Sequence, residues 1–113
     1  MTERELETGV LQVAAVLGYR AHAERPAWSA KGYRTPIRGN KGWPDLVICG
    51  HGRFLVRELK VGKNLLSGEQ VASLEELRAA GADVGVWTDG MWLSGEIEAE
   101  LRRGTRHETS EAA

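Results

Sequence analysis

Residues 43–60 read WPDLVICGHGRFLVRELK and predict two β-strands joined by a tight turn. The apolar run LVIC, residues 46–49, lies between a proline and a glycine, and a second apolar run, FLV, begins at Phe54. Two such runs around a short glycine-bearing segment are typical of a β-hairpin. We take the loop as residues 50–53, GHGR, which pairs Cys49 with Phe54 and fixes the register of the two strands.

This register brings charged side chains together at the open end of the hairpin. Counting back from the loop pairs Val47 with Val56 and Asp45 with Glu58, and Lys60 shares a face with Glu58 because strand side chains alternate. Directly opposed residues have Cβ atoms about 4.5–5.5 Å apart, and two carboxylates at that distance repel each other. A divalent metal ion held between them would offset the repulsion.

Pro44-Asp45 followed by Glu58-Leu59-Lys60 resembles the signature of the PD-(D/E)XK nucleases. The segments GWPDLVI, RELK, LSGEQ and ELRAAGADV are together similar to the VRR-NUC branch, common in bacteriophages, over residues 2–101. The resemblance implies an α/β fold with a small mixed β-sheet flanked by helices, in an αβββαβ-like order. It also implies a phage-encoded, metal-dependent DNA endonuclease that acts on branched or otherwise distorted DNA.

The site that this resemblance implies holds Mg²⁺ or Mn²⁺ through Asp45, Glu58 and the main-chain carbonyl of Leu59. Lys60 would position or deprotonate the attacking water, or offset charge in the transition state. Without Asp45, the acid and lysine of the second strand are better explained as opposite charges on an exposed sheet face. An acid that opposes another acid has no such explanation, so Asp45 favours the catalytic site. The alternative function is a non-cleaving module that binds nucleic acid or another phage protein.

Two capping boxes predict the helices that flank the sheet. The first, TERE at residues 2–5, opens a helix that ends near Leu17, before Gly18. The second, SGEQ at residues 67–70, opens a helix over residues 68–80. The apolar stripes expected to face the sheet are Leu6, Val10, Val13 and Leu17 in the first helix and Val71, Leu74 and Leu77 in the second.

Glu3 and Gln70 each have a structural and a catalytic interpretation. Glu3 extends the first apolar stripe, and the resemblance implies that a first-helix glutamate joins the site as a catalytic and metal-binding residue. The alternative for Glu3 is a favourable charge beside the helix dipole. Capping alone accounts for Gln70, whereas the resemblance places this glutamine in the site beside Lys60; the two roles are compatible.

Basic residues are concentrated in residues 20–41, where six of them occur against the single acid Glu24, although the net charge of the chain is −1. Residues 24–42 predict a long loop, and loops of this length are usually functional or disordered. Basic residues interleaved with Trp28, Tyr33 and Trp43 suit phosphate contact together with base stacking. A mobile loop with one tryptophan packed on the core is the alternative. The predicted DNA contacts are Lys31, Arg34, Arg38, Lys41 and, close to the site along the chain, Lys63.

Residues 83–87 predict a last strand, and Ser94 is the predicted cap of a final short helix that carries Ile97 and Leu101. One domain is expected over residues 1–103. A disordered tail is expected over residues 104–113, which have almost no apolar content.

The composition of the 113 residues, 42% hydrophobic and 27% charged, is that of one ordinary soluble domain. No apolar run approaches the roughly 18 residues of a membrane span, and no signal-peptide core is apparent, so a cytoplasmic location is expected, in a bacterial host if the protein is phage-encoded. Cys49, the single cysteine, is predicted to be a buried apolar residue. The three histidines lack the spacing of a zinc site. A homodimer is expected because stand-alone members of the resembled family tend to pair.

Overall fold

The computed structural model describes residues 1–24, 27–29, 32–34 and 39–105. The elements, in chain order, are α1 (Glu3–Val16), β1 (Arg20–Ala23), β2 (Ala27–Ser29), β3 (Gly32–Arg34), β4 (Leu46–Gly50), β5 (Arg53–Lys60), α2 (Gly68–Ala79), β6 (Asp83–Thr88), α3 (Asp89–Leu93) and α4 (Glu96–Arg102). No helix in these described ranges is both long and apolar enough to cross a membrane.

Four strands form one mixed sheet in the order β1-β4-β5-β6. β4 is antiparallel to both of its neighbours, and β6 runs parallel to β5. A parallel pair needs a crossover connection, which α2 supplies here. The predicted α/β fold, a small mixed sheet flanked by helices, is confirmed.

The central hairpin has the predicted register but a shorter turn. Val47 lies opposite Val56 and Cys49 opposite Phe54, as expected, and the pair that closes the ladder is Gly50 with Arg53. The loop therefore contains two residues, not four. Both have positive φ, 53° at His51 and 74° at the following glycine, which is the geometry of the type I′ turn that matches the twist of a hairpin.

The sheet separates a large core from the face that α2 covers. Leu55 and Leu59 of β5 are buried in the core, so Glu58 between them projects to the opposite face. The core cluster consists of Leu6, Val10, Ala14, Leu17, Tyr19, Leu46, Ile48, Leu55, Leu59, Trp87, Ile97 and Leu101. Charged residues of β5 thus occur on both faces of the same strand, with different surroundings.

Helix α1 begins and ends where the sequence predicts. The Thr2 hydroxyl accepts from the Glu5 amide at 3.1 Å, and the Glu5 carboxylate accepts from the Thr2 amide at 2.9 Å, which completes the capping box. Gly18, with φ of 86°, terminates the helix. Ala14 is fully buried, whereas the predicted stripe residue Val13 is only partly buried at the edge of the core.

Arg57 is buried on the core face, with 3% of its surface exposed. Its guanidinium contacts the carboxylates of Glu100 at 2.5 Å and Asp83 at 2.9 Å, and lies 5.1 Å from the ring centre of Trp87. Glu100 also accepts from the Trp87 indole at 2.8 Å. This network joins α4 to β5 and β6, and removing one charge would leave its partner buried and unpaired.

The predicted loop over residues 24–42 contains a small second sheet. β2 and β3 pair antiparallel, with Trp28 opposite Tyr33. Each strand has three residues, which is too short for a period-2 pattern to show in the sequence. Residues 25–26, 30–31, 35–38 and 106–113 lie outside the described residues, and so do the predicted contacts at Lys31 and Arg38 and most of the predicted tail.

Two burial predictions on the α2 side of the sheet are wrong. Cys49 is exposed, and Val71 is 38% exposed instead of lying in the inner stripe of α2. The helix packs chiefly against β6, so it does not cover the turn end of the β4–β5 hairpin. Phe54, opposite Cys49, is accordingly 53% exposed.

The C-terminal region also differs from the prediction. Residues 89–93, for which no helix was predicted, form α3, which the Thr88 hydroxyl caps by accepting from the Met91 amide at 3.2 Å. The cap of α4 is Gly95, with φ of 85°, and not Ser94. Thr105 is fully buried, so packed structure continues two residues beyond the predicted domain boundary.

Candidate active site

Asp45 stands immediately before β4, at the open end of the hairpin. Its Oδ2 accepts a hydrogen bond from the Leu59 amide at 3.0 Å. Continuing the register of β4 and β5 by one step places Asp45 opposite Glu58, as predicted. The next step places Pro44 opposite Leu59, and because proline has no N–H, it cannot donate to the Leu59 carbonyl. The Pro44-Asp45 pair thus ends the hydrogen-bonded ladder, and it leaves the Asp45 carboxylate and the Leu59 carbonyl oxygen at the end of the hairpin.

Glu58 is the buried acid of the site, with 2% of its surface exposed. Its Oε1 accepts from the side-chain amide of Gln70 at 2.9 Å. Its Oε2 is buried and has no hydrogen-bond partner among the described residues. Burial, and after it the neighbouring Asp45 carboxylate, raises the pKa of Glu58 to about 8, although the Lys60 charge acts in the opposite direction. With no cation bound, this carboxyl group is therefore mostly protonated at neutral pH.

Gln70 is held in place by the capping box that opens α2. Its side-chain Oε1 accepts from the Ser67 backbone amide at 2.9 Å, and the Gln70 backbone amide donates to the Ser67 hydroxyl at 3.1 Å. The oxygen of the side-chain amide is therefore occupied, and the NH₂ group is directed to Glu58. The family resemblance implies that Gln70 lies in the site beside Lys60; the hydrogen bond that Gln70 makes is to Glu58, two residues before that lysine on the same strand.

Gly42 brings the segment before Asp45 against the first turn of α2. A Cβ atom at this position would lie 2.5 Å from the backbone carbon of Glu69 and 2.7 Å from the backbone nitrogen of Gln70, and φ is 86°. Only glycine fits both the contact and the conformation. This positioning role was not predicted from the sequence, although the glycine beside Trp-Pro-Asp was a visible signal of close backbone approach.

Glu3 belongs to α1, which packs on the core face of the sheet, whereas Glu58 projects from the opposite face. His51, in the hairpin turn, contacts the Leu17 carbonyl through Nε2 at 2.7 Å, so the C-terminal end of α1 is at the turn. A helix of 14 residues is about 21 Å long, so Glu3, at its N-terminal end, lies roughly that far from the turn. None of the hydrogen bonds in the described part of the chain joins Glu3 to Asp45 or Glu58.

Lys60 ends β5, two residues beyond Glu58 and on the same face, and is partly exposed. The chain leaves this strand through Gly62, whose amide donates to both carboxylate oxygens of Asp89 at 3.3 Å. This contact to the start of α3 fixes the end of the strand, and it was not predicted from the sequence. Lys60 is therefore presented from an anchored strand end.

The predicted DNA-contacting residues are only partly described. Lys41 and Lys63 are exposed, and Arg34 belongs to β3. Within the described ranges, no cluster of three or more His, Cys, Asp or Glu side chains has the geometry of a metal site. The described site thus offers two side-chain carboxylates, those of Asp45 and Glu58, beside the main chain of Leu59.

No protein-family model and no curated protein matches this chain. Among solved structures, the fold is similar to that of Hjc, a Holliday junction resolvase from the archaeal hyperthermophile Archaeoglobus fulgidus. The TM-score is 0.52 and the sequence identity 24%, and the match covers 75% of this chain and 66% of the resolvase chain. The chain therefore spans just under two thirds of that resolvase, and the similarity establishes the shared nuclease-like fold.

Proposed function

We propose that this protein is a metal-dependent nuclease that hydrolyses phosphodiester bonds in DNA at the Asp45–Glu58 end of the hairpin. The observation that carries the proposal is the unpartnered Oε2 of buried Glu58 next to a second carboxylate. A buried polar atom without a partner costs free energy, and a pair of acids in this position is best explained by a cation that they bind together.

The donor set fits a hard divalent ion. Asp45, Glu58 and the main-chain carbonyl of Leu59 would hold Mg²⁺ or Mn²⁺, because these ions prefer oxygen ligands and retain several waters. When bound, such an ion supplies a Lewis acid that neutralises phosphate charge and lowers the pKa of water. The family resemblance gives Glu3 a role toward this ion or its water shell, which it would have to reach from the core side of the sheet.

The protein groups around the carboxylates have separate tasks. Gln70 holds the Glu58 carboxyl group in one orientation through its 2.9 Å hydrogen bond, so the second oxygen keeps its position for the ion. Lys60 would position the attacking water or offset the negative charge that develops on the phosphate. Lys41 and Lys63, both exposed, would contact phosphates on either side of the cleaved bond.

Branched DNA is the proposed substrate class. The resemblance of the fold to a Holliday junction resolvase and the basic segment of residues 20–41 both support it. The motifs around Asp45 and Glu58 support a place in the VRR-NUC branch of the PD-(D/E)XK nucleases and a phage origin. A homodimer would place two sites on two strands of one junction, and light scattering that gives a monomer mass with and without DNA would contradict it.

The experiment is a cleavage panel of labelled four-way junction, flap, nicked and plain duplex DNA, with Mg²⁺ or with EDTA. Wild type is expected to cut a branched form only with the metal. Asp45→Asn and Lys60→Ala should each lower cleavage by orders of magnitude, and Glu69→Gln, which changes an exposed acid on α2, should not. Lys60→Ala should keep its metal affinity because lysine is not a ligand. Absence of metal-dependent cleavage on every DNA form would favour the binding module.

A further inference from the structure

Trp43 is an exposed aromatic side chain at the rim of the proposed site. It lies two residues before Asp45, which limits the distance between their Cα atoms to about 7 Å. More than half of its surface, 56%, is exposed, although tryptophan is usually largely buried. The core does not use this side chain, and neither does the chemistry proposed above.

The backbone on both sides of Trp43 is fixed. Gly42 packs against the first turn of α2, where a Cβ atom would meet backbone at 2.5 Å. Pro44 is buried, and a residue before proline is restricted to extended conformations. Asp45 is bonded to the Leu59 amide at 3.0 Å. The indole is therefore carried by a rigid segment, which reduces the entropy lost when a ligand stacks on it.

The surroundings of Trp43 indicate what it contacts. Lys41 is two residues before it in the chain and is exposed, and Lys60 and Lys63 follow Glu58 at the same end of the sheet. Recognition of single strands combines two components: cations that contact the phosphates and an aromatic ring on which a base stacks. Both components occur here. In a continuous duplex the base faces are stacked on each other, and none is available to an indole.

We infer that Trp43 is a stacking platform for an unpaired nucleobase beside the phosphate cleaved at the Asp45–Glu58 site, and that it selects DNA with an unstacked base at the cleavage point. This inference rests on the proposed nuclease function and specifies its substrate. Trp43 is a specificity residue here; it takes no part in the bond cleavage.

The test measures binding apart from cleavage. A three-armed DNA carries one unpaired 2-aminopurine at the branch, and a continuous duplex of the same arm sequence serves as reference, both in EDTA. Wild type should quench the 2-aminopurine by stacking and prefer the branched DNA. Trp43→Ala should lose the quenching and weaken branched-DNA binding by about five- to a hundredfold, the range typical of one stacked base. Duplex binding should be unchanged, and Trp43→Phe should restore most of the preference.

Leu93→Ala is the matched control, because Leu93 is 78% exposed but lies on α3; it should leave both affinities unchanged. Equal loss of branched and duplex binding in Trp43→Ala, or no loss, overturns the stacking role while wild-type cleavage still supports the nuclease. A change from dimer to monomer in Trp43→Ala, seen by sedimentation, would assign Trp43 to a protein interface and also overturn it. A wild type that neither binds nor cuts any DNA overturns both proposals.

Discussion

Replacing Glu58 with glutamine should stabilise the metal-free protein at alkaline pH. The pKa of Glu58 rises from 4.5 to about 8 in the folded protein, so the folded state holds a proton that the unfolded state has already released. The free energy of unfolding is therefore highest at low pH and falls as the pH rises from about 5 through about 8. Glutamine does not titrate, so the unfolding free energy of Glu58→Gln should not fall in this way.

The magnitude follows from the two pKa values. One pKa unit corresponds to about 1.4 kcal/mol, and the difference between 4.5 and about 8 therefore gives a loss of up to about 5 kcal/mol in wild type across this pH range. At pH 5 the two proteins should be similar in stability, because both carry a neutral, hydrogen-bonding group at this position. At pH 8 the variant should be the more stable one.

The assay is urea denaturation in EDTA at pH 5, 6, 7 and 8 for wild type, Glu58→Gln and the exposed-acid control Glu69→Gln. The quantity compared is the difference in unfolding free energy between wild type and each variant, which cancels the titration of groups that do not interact with the substituted residue. Mg²⁺ at a hundred times its Kd should return about 2.7 kcal/mol to wild type at pH 8 and nothing to Glu58→Gln. A wild-type-to-Glu58→Gln difference that does not change with pH would refute the buried-acid account.

Three further predictions concern packing and DNA contact. Gly9→Ala should destabilise the protein by about 1–3 kcal/mol, despite alanine's better helix propensity, because the new Cβ would lie 2.7 Å from the Trp92 ring. Thermal melting measures this loss, and Thr8→Ala, at an exposed position of α1, is the control that should leave the midpoint nearly unchanged; an equal midpoint in Gly9→Ala would contradict the tight contact. Gly42→Ala should abolish cleavage while the core persists, since it pushes the Asp45 segment away from α2; a fully active, equally stable variant would show this reasoning to be wrong. Alanine at Lys31, Arg34 and Arg38 together should lower the slope of log affinity against log salt by about 0.9 per lost contact, and an unchanged slope would place the DNA elsewhere.

Local signals in the sequence were sufficient for the two long helices and the central hairpin. Capping boxes at Thr2 and Ser67 and the glycines that end α1 and α2 identify the helices, because each satisfies backbone groups within a few residues. The hairpin register followed from one turn, and it alone placed Asp45 opposite Glu58. The predicted hairpin loop was too long, but this error did not change the register, because shortening the loop from four residues to two keeps the same residue pairs between β4 and β5.

Features that depend on distant contacts were not predictable. Cys49 has an apolar neighbourhood in sequence, but its burial depends on how far α2 reaches across the sheet, which no local pattern encodes. The Arg57–Glu100 pair joins residues 43 positions apart, and an arginine in a strand normally predicts exposure. The unpartnered oxygen of Glu58 likewise results from packing around the site. The sequence therefore indicated the pair of acids, and the structure showed that Glu58 is buried.

The central claim is that Asp45 and Glu58 hold one metal ion, and a crystal structure with Mn²⁺, with anomalous data collected at the manganese edge, tests it most directly. One anomalous peak is expected about 2.0–2.1 Å from a carboxylate oxygen of Asp45, from Oε2 of Glu58 and from the main-chain carbonyl oxygen of Leu59, with waters completing an octahedron, as for Mg²⁺ sites in proteins. No peak at this end of the hairpin, or a peak bound only by other residues, would contradict it.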